Sequence, residues 1–577
     1  MSRASFVAAS FALSASAFAQ SPLLHRFLGD GPEAQLGFSV AGIGDVDADG
    51  HDDVMAGAMS DGTAALPLSG SVRVYSGATG AVLWTAYGEA SGDRLGWTVS
   101  GLGDVNGDGV PDVIAGAYRN DAHGADSGMI RLYSGLDGAV LRTVRGGDSL
   151  DFYGYSVTGV ADVDLDGVPD YAVGAWQDET NGVNSGAVYL YSGASGIRIR
   201  TFLGAATGER YGYSVRNAGD VDIDGRGDLL IGVPGGRRAE IRAGSDGSIV
   251  RTYASTSADD AFGFTVQTAG DLDGDGVPDA MVGAIKFDLN RGYAEIYSGA
   301  SGALLHHIEG DSQENWFGVG ICGLGDLDGD GTAEFSITAF KNDTNGHESG
   351  VARVYSGKSG AILHTLIGDS GLDWFGYALA NGGDVDADGF DDLVVGTNQD
   401  QVNGFHSGSV SIYSGAAFGT ATTSCFGDGS GAPCPCANAG APGIARGCVN
   451  STGLGAALAG SGYASVANDS FSLTVSGLPS TTSVLLFQGA GFTAGGAGAP
   501  FGDGLRCVTG SVLRLATRSS AFGVVAWPWF GSTPLSQLGQ IPAAGATVHY
   551  QAWYRNPAGP CGSAFNLTNA ATRTWTP

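Results

Sequence analysis

Short apolar runs, each punctuated by glycine and polar loops, recur along most of the chain. Segments such as Phe38-Ser39-Val40 and Tyr155-Ser156-Val157 are half apolar. An acidic loop follows each of them, and then a denser apolar run such as Val113-Ile114-Ala115-Gly116-Ala117. The pattern predicts two short strands, A and B, joined by the acidic loop. A polar connection leads to an alternating strand C that ends in Tyr-Ser-Gly, at residues 72–77, 130–135, 188–193 and 410–415. A tight glycine-containing turn then enters strand D, for example Val140-Leu141-Arg142-Thr143.

The unit repeats seven times. An aromatic residue or leucine precedes glycine at Leu36-Gly37, Leu95-Gly96, Tyr153-Gly154, Tyr211-Gly212, Phe262-Gly263, Phe317-Gly318 and Phe375-Gly376. The period is roughly 57 residues, the length of one four-stranded blade and its loops. An all-β chain is therefore expected, with a seven-bladed β-propeller of four-stranded antiparallel blades. The ends of the repeat region support this. Residues 23–30 resemble strand D at 362–369 but have no strand C before them, whereas the seventh unit stops after its strand C at Gly415. Pairing the two completes the last blade and removes two open sheet edges.

Each acidic loop reads Asp-x-(Asp/Asn)-x-Asp-Gly-x-x-(Asp/Glu). The candidate ligands at positions 1, 3, 5 and 9 are Asp45, Asp47, Asp49 and Asp53, then Asp104, Asn106, Asp108 and Asp112. The third and fourth loops carry Asp162, Asp164, Asp166, Asp170 and Asp220, Asp222, Asp224, Asp228. The last three carry Asp271, Asp273, Asp275, Asp279; Asp326, Asp328, Asp330, Glu334; and Asp384, Asp386, Asp388, Asp392. Carboxylates this close repel one another unless a hard cation neutralises them, and Ca2+ takes roughly six to eight oxygen ligands. Up to seven calcium ions are expected, with a backbone carbonyl near position 7 completing each set. Mg2+, with its stricter octahedron, suits the loops less well. An EF-hand needs glutamate at position 12 and flanking helices. Position 12 here is Ala56, Ala115, Val173, Ile231, Val282, Ile337 and Val395, all apolar.

The Phe-Gly pair, the acidic loop and the Gly-Ala pair that follows it (Gly57-Ala58, Gly116-Ala117, Gly174-Ala175, Gly283-Ala284) together resemble FG-GAP repeats of the integrin α-subunit head. The resemblance covers residues 23–416. It implies a seven-bladed propeller with Ca2+ between strands A and B, on the face opposite the main ligand surface. Gly232-Val233, Thr338-Ala339 and Gly396-Thr397 depart from the Gly-Ala pair, and Asn106 and Glu334 from the ligand pattern. The heterodimer, leg domains and membrane anchor of integrins are not implied.

Composition adds compartment and partner class. With 99 Gly among 577 residues, 43% hydrophobic and 15% charged, the chain has material for buried cores and no collagen-like Gly-X-Y period. A formal charge of −31 argues against nucleic-acid partners, since phosphate binding needs a basic surface. After residue 417 only Asp428, Asp469 and Asp503 oppose six arginines, which marks a boundary. The divisions expected are a signal peptide at 1–19, ending in Ala17-Phe18-Ala19, the propeller at 20–416, a linker at 417–424 and a C-terminal domain at 425–577. No apolar window is long enough for a transmembrane helix.

Six of seven cysteines (Cys425, Cys434, Cys436, Cys448, Cys507, Cys561) lie in the C-terminal segment, where three disulfides are expected in any of 15 pairings. A zinc site at Cys434, Cys436 and Cys448 is the alternative, and Cys322 reads as a buried thiol. Alternating runs at 471–475, 484–487, 512–515 and 548–553 predict a small disulfide-stapled β-sandwich.

No His-Glu-x-x-His, Gly-x-Ser-x-Gly or phosphate-binding glycine loop is present, so no catalytic residue is assigned and the chain is not expected to be an enzyme. It reads as a secreted or cell-surface calcium-binding adhesion or recognition protein for an extracellular protein or glycan. The alternative is an exported, polysaccharide-active enzyme that uses the propeller as a scaffold. Phe152, Trp316 and Trp374, beside Asp151, Asn315 and Asp373, are expected as exposed aromatics on the face away from the acidic loops, available to a ligand or packed between blades. Asn120-Asp121, Gln177-Asp178, Asn342-Asp343 and Gln399-Asp400 are expected to shape turns. The adhesion-like tripeptide Arg226-Gly227-Asp228 lies inside the fourth acidic loop, where Asp228 is a ligand instead.

Overall fold

A computed structural model describes residues 23–577 apart from 258–259, 329, 419–421, 429–431, 441–445, 462–463, 465, 467–468, 470, 529–532 and 576–577. The expected signal peptide lies outside the described residues, as does part of the expected linker. The chain is all-β, and its repeat region forms seven four-stranded antiparallel sheets. In the first blade the strands run Leu36–Gly44, Asp53–Ala58, Ser71–Tyr75 and Val82–Tyr87. The last blade is completed from the other end of the repeat region. Leu23–Leu28 pairs antiparallel with Ser409–Tyr413, placing Phe27 opposite Val410 and His25 opposite Ile412.

The innermost strands are Leu36–Gly44, Thr98–Gly103, Ser156–Val160, Ser214–Gly219, Phe262–Gly270, Phe317–Gly323 and Ala378–Asn381. Each contacts the next, and Ala378–Asn381 contacts Leu36–Gly44, so the contacts run full circle. Strand B is buried at every residue, as in Asp112–Ala117 and Asp170–Ala175, because a neighbouring blade covers each of its faces. That is why its sequence is a continuous apolar run, whereas strand D, half exposed as in Val140–Arg145, mixes polar and apolar residues. The hydrophobic clusters accordingly bridge blades. One joins Met55, Val72 and Val74 to Val99, Val113 and Met129.

The glycines of the repeat mark where the blades touch. Gly96 has φ +84°, and a Cβ there would lie 2.4 Å from Ser71 O and 2.9 Å from Gly57 Cα. A Cβ on Gly57 would in turn stand 2.0 Å from Gly96 O. The glycine of one unit's Gly-Ala pair thus packs backbone to backbone on the next unit's Phe-Gly pair, and neither position has room for a side chain.

The C-terminal segment holds a five-stranded and a three-stranded antiparallel sheet. Leu473 and Val475 of the smaller sheet pack with Val484, Leu486, Tyr550 and Tyr554 of the larger in one core, a sandwich-like arrangement. Of the pairings left open by the sequence, the structure forms Cys425–Cys507, Cys434–Cys448 and Cys436–Cys561, with Cα separations of 6.1, 5.8 and 5.6 Å. All three cysteines of the zinc alternative are therefore committed to disulfides. Cys322 is a buried free thiol.

Candidate metal centres

Every acidic loop joins strand A to strand B, and its carboxylates first organise its own backbone. In the first loop Asp45 accepts hydrogen bonds from the N–H groups of Asp49 (3.1 Å) and Gly50 (2.9 Å), and Asp49 accepts one from His51 (3.0 Å). These contacts wrap the chain around a small concavity. Gly50 at position 6 has φ +91°, as the sharp bend requires. Position 4 is left-handed as well, and there the sequence often supplies a non-glycine residue: Ala48, Leu165, Ile223 and Ala387 have φ between 57° and 61°. Left-handed non-glycine residues cost of order 1 kcal/mol or more each, and they persist where the surrounding structure enforces them.

Position 9 has a second role that its spacing did not reveal. Asp53 is fully buried and accepts the N–H of Val46 and that of Gly77, each at 2.8 Å. Gly77 ends the Tyr-Ser-Gly of strand C, so this carboxylate ties the A–B loop to the C–D turn. Asp170 repeats the pair with Val163 (2.7 Å) and Gly193 (2.9 Å), and Asp228 with Val221 (2.9 Å) and Gly244 (3.0 Å). The serine of the same motif stands beside position 5, with Ser192 Oγ 3.4 Å from Asp166. Tyr-Ser-Gly follows position 9 in six of the seven units, the fourth having Arg242-Ala243-Gly244 in its place, and that recurrence was the available signal.

Carboxylate oxygens of positions 1, 3 and 9 converge to within 4.8 Å of one another in Asp45/Asp47/Asp53, Asp162/Asp164/Asp170, Asp220/Asp222/Asp228 and Asp271/Asp273/Asp279. In the sixth loop position 5 joins them: Asp326, Asp328, Asp330 and Glu334. Asn106 turns its amide toward Asp108 at 2.9 Å, a donor where the other loops offer only acceptors. Burial and neighbouring carboxylates raise the position-9 acids against their backbone donors. Asp53, Asp170, Asp228 and Asp279 are pushed up to about 6, Glu334 to about 8 and Asp392 to about 9, burial being the largest cause in each. Glu334 Oε1 and Asp386 Oδ1 are buried and accept no hydrogen bond among the described residues. Clustered oxygens, orphaned acceptors and destabilised negative charge are the conditions a hard cation relieves, so the residues fit one.

Asp170→Asn tests the double role of position 9. Its amide cannot accept both backbone N–H groups, so one buried donor loses its partner. An apo stability loss of about 1–3 kcal/mol is expected in chelator-containing denaturant titrations, together with the loss of one ion per chain.

The opposite face is aromatic. The residue after each Phe-Gly pair points to the axis, and Phe38, Trp97, Tyr155, Tyr213 and Phe264 follow one another with ring centroids 4.6 to 5.1 Å apart. Tyr377 continues this collar, 5.0 Å from Phe38, and the sixth blade contributes Val319. Outside it, Phe152, Trp316 and Trp374 are half-buried, not exposed. Phe152 packs on Tyr118 (5.1 Å) and Trp176 (5.7 Å), and Phe340 lies between Trp316 (6.1 Å) and Trp374 (5.3 Å). Asp151, Asn315 and Asp373 are buried, and Ser370 donates to Asp373 in the D–A turn. Lys341 Nζ sits 4.9 Å from the Trp374 ring centroid and 5.9 Å from that of Trp316, and it pairs with Glu348 at 3.0 Å.

The paired B–C loop residues shape turns, as expected: Asn120 accepts the N–H of Ala122, and Asp178 that of Thr180. Burial of Asp228 leaves Arg226-Gly227-Asp228 unavailable as an exposed tripeptide.

The FG-GAP repeat family matches residues 95–133 and 375–413. The chain is 29% identical to integrin alpha-8 of Homo sapiens over 212 residues, which is 33% of this chain and 19% of that protein. It is 26% identical to integrin alpha-V of Gallus gallus over 252 residues, 40% of this chain and 24% of the relative. Integrin alpha pat-2 of Caenorhabditis elegans is 28% identical over 37% of this chain and 21% of its own length. The chain thus spans about a fifth of the length of these relatives. Among the described residues no helix is long and apolar enough to cross a membrane.

Proposed function

We propose that this chain, which carries FG-GAP repeats and is integrin α-like over part of its propeller, is a secreted calcium-binding adhesion or recognition protein for an extracellular protein or glycan. The observation that carries the reading is the division of the propeller into two faces. One holds the acidic loops, whose carboxylates at positions 1, 3, 5 and 9, the last of them buried, fit Ca2+. The other presents half-buried aromatic rings and the Lys341–Glu348 pair, a surface suited to a sugar face or a protein side chain. The similarity to integrin α chains supports recognition over catalysis, and three disulfides suit an oxidising, extracellular compartment. Up to seven ions would be structural, rigidifying the bends from which the blades rise.

A glycan array and an extracellular-protein panel, probed with the calcium-loaded chain, test this. Binding without product formation is expected, and the double substitution Trp316→Ala and Trp374→Ala is expected to weaken it by roughly tenfold or more, the loss typical of buried aromatic anchors. Turnover of a polysaccharide, abolished by a substitution on the same face, would replace this reading with the scaffolded enzyme.

A further inference from the structure

The propeller axis is not filled. Below the aromatic collar a cavity of about 760 Å³ runs toward the acidic-loop face, bounded at that end by Pro111, Pro169 and Pro278. Its wall is mixed: Val40, Val99 and Leu379 contribute apolar edges, and Ser100, Asn217, Gln267 and Asn381 polar ones. The one charged residue among those lining residues is Arg216, on the innermost strand Ser214–Gly219. The equivalent position holds Ala41, Ser100, Thr158, Gln267, Cys322 and Ala380 in the other blades, all uncharged.

Arg216 has no acid partner. Its Nη1 donates to Val215 O (2.8 Å) and Ser156 Oγ (3.4 Å), while Nε and Nη2 meet no acceptor among the described residues. Burial without a compensating carboxylate pushes the guanidinium down to about 10. Two neighbours on the wall are also donors in excess. Asn217 Oδ1 accepts the N–H of Gly219 (3.0 Å) and Gln267 Oε1 that of Thr268 (3.2 Å), which leaves both amide NH2 groups without an acceptor among the described residues. A chain of charge −31 therefore carries, on its axis, a cationic, donor-rich patch that faces the cavity. Arg216 is half-buried with its free donors on the cavity wall, and a planar guanidinium pairs best with a carboxylate.

We propose that the axial cavity is a binding site for a small organic carboxylate, its anionic end held by Arg216, Asn217 and Gln267 and its apolar body packed against the edges of Val40, Val99 and Leu379. This rests on the cavity alone and is independent of the adhesion reading.

Benzoate is a suitable probe, with benzamide as its neutral counterpart, titrated calorimetrically onto the full calcium-loaded chain. One benzoate per chain is expected, with benzamide weaker by roughly tenfold or more, the difference made by charge-assisted hydrogen bonds. Arg216→Met is expected to lose the preference for benzoate and Arg216→Lys to keep part of it. Anomalous scattering from a bromide-soaked wild-type crystal locates the anion site whether or not the variants fold, and a peak beside Arg216 is expected. Equal affinity for benzoate and benzamide, undiminished benzoate binding by Arg216→Met, or no bromide beside Arg216 would each overturn the proposal.

Discussion

Removing calcium with a chelator at neutral pH is expected to lower the melting temperature of the propeller by roughly 3 °C for each ion lost. An ion present at a hundred times its dissociation constant, and bound only by the folded chain, adds about 2.7 kcal/mol. Spread over the unfolding entropy of a propeller of about 400 residues, that gives the stated shift. Several occupied loops make the total large. The effect has a pH signature with a definite sign. In the metal-free protein Asp53, Asp170, Asp228 and Asp279 are pushed up to about 6, Glu334 to about 8 and Asp392 to about 9. Their unfolded values lie near 4, so the folded chain holds more protons than the unfolded one between these limits. Apo stability therefore falls as pH rises from about 4 and levels off above about 9. A cation takes the place of those protons, so its stabilisation grows over the same range. Melting curves at pH 5 and pH 8, with calcium and with chelator, are expected to show a small calcium effect at the lower pH and a large one at the higher. Equal effects at both would contradict the assignment of position 9.

Reduction is expected to unfold the C-terminal domain and spare the propeller. The three disulfides close segments of 82, 14 and 125 residues, and bonds across loops of this size contribute roughly 3–5 kcal/mol each. Their sum rivals the whole stability of an ordinary domain, about 5–15 kcal/mol. The propeller has no disulfide among its described residues. Its thiol, Cys322, is buried, and burial holds it far above the usual thiol range, out of reach of exchange. Hydrogen exchange in a reducing buffer should show protection lost across 425–577 and kept across the blades. Simultaneous loss in both would mean that the two regions unfold as one unit, and that the contact of Arg573 with Ala416 O (2.9 Å) reports a much stronger coupling than one hydrogen bond.

Most of the propeller was legible because its signals repeat. A buried strand such as Asp112–Ala117 is continuous apolar sequence, a bend such as Gly50 must be glycine, and seven copies at one spacing separate these from accident. Closure by Leu23–Leu28 was also readable, since a strand D without a strand C has one partner available. What the sequence did not disclose depends on approach through space. Gly57 and Gly96 lie far apart along the chain, and only the meeting of two blades explains why both must be glycine. The hydrogen bonds from Val46 and Gly77 to Asp53 turn an expected ligand into a structural tie as well. Of the two readings left open for the aromatics at 152, 316 and 374, packing is the one found, because neighbouring loops bring Tyr118, Trp176 and Phe340 against them. Disulfide pairing could not be chosen from spacing, as the partners of Cys436 and Cys425 lie 125 and 82 residues away.

Calcium bound per chain, measured by elemental analysis after equilibrium dialysis at saturating calcium, tests the central claim most directly. The account predicts several ions per chain, up to seven, and one fewer for each loop whose position-1 and position-9 acids are replaced. A chain that folds into its seven sheets yet retains no calcium would contradict it.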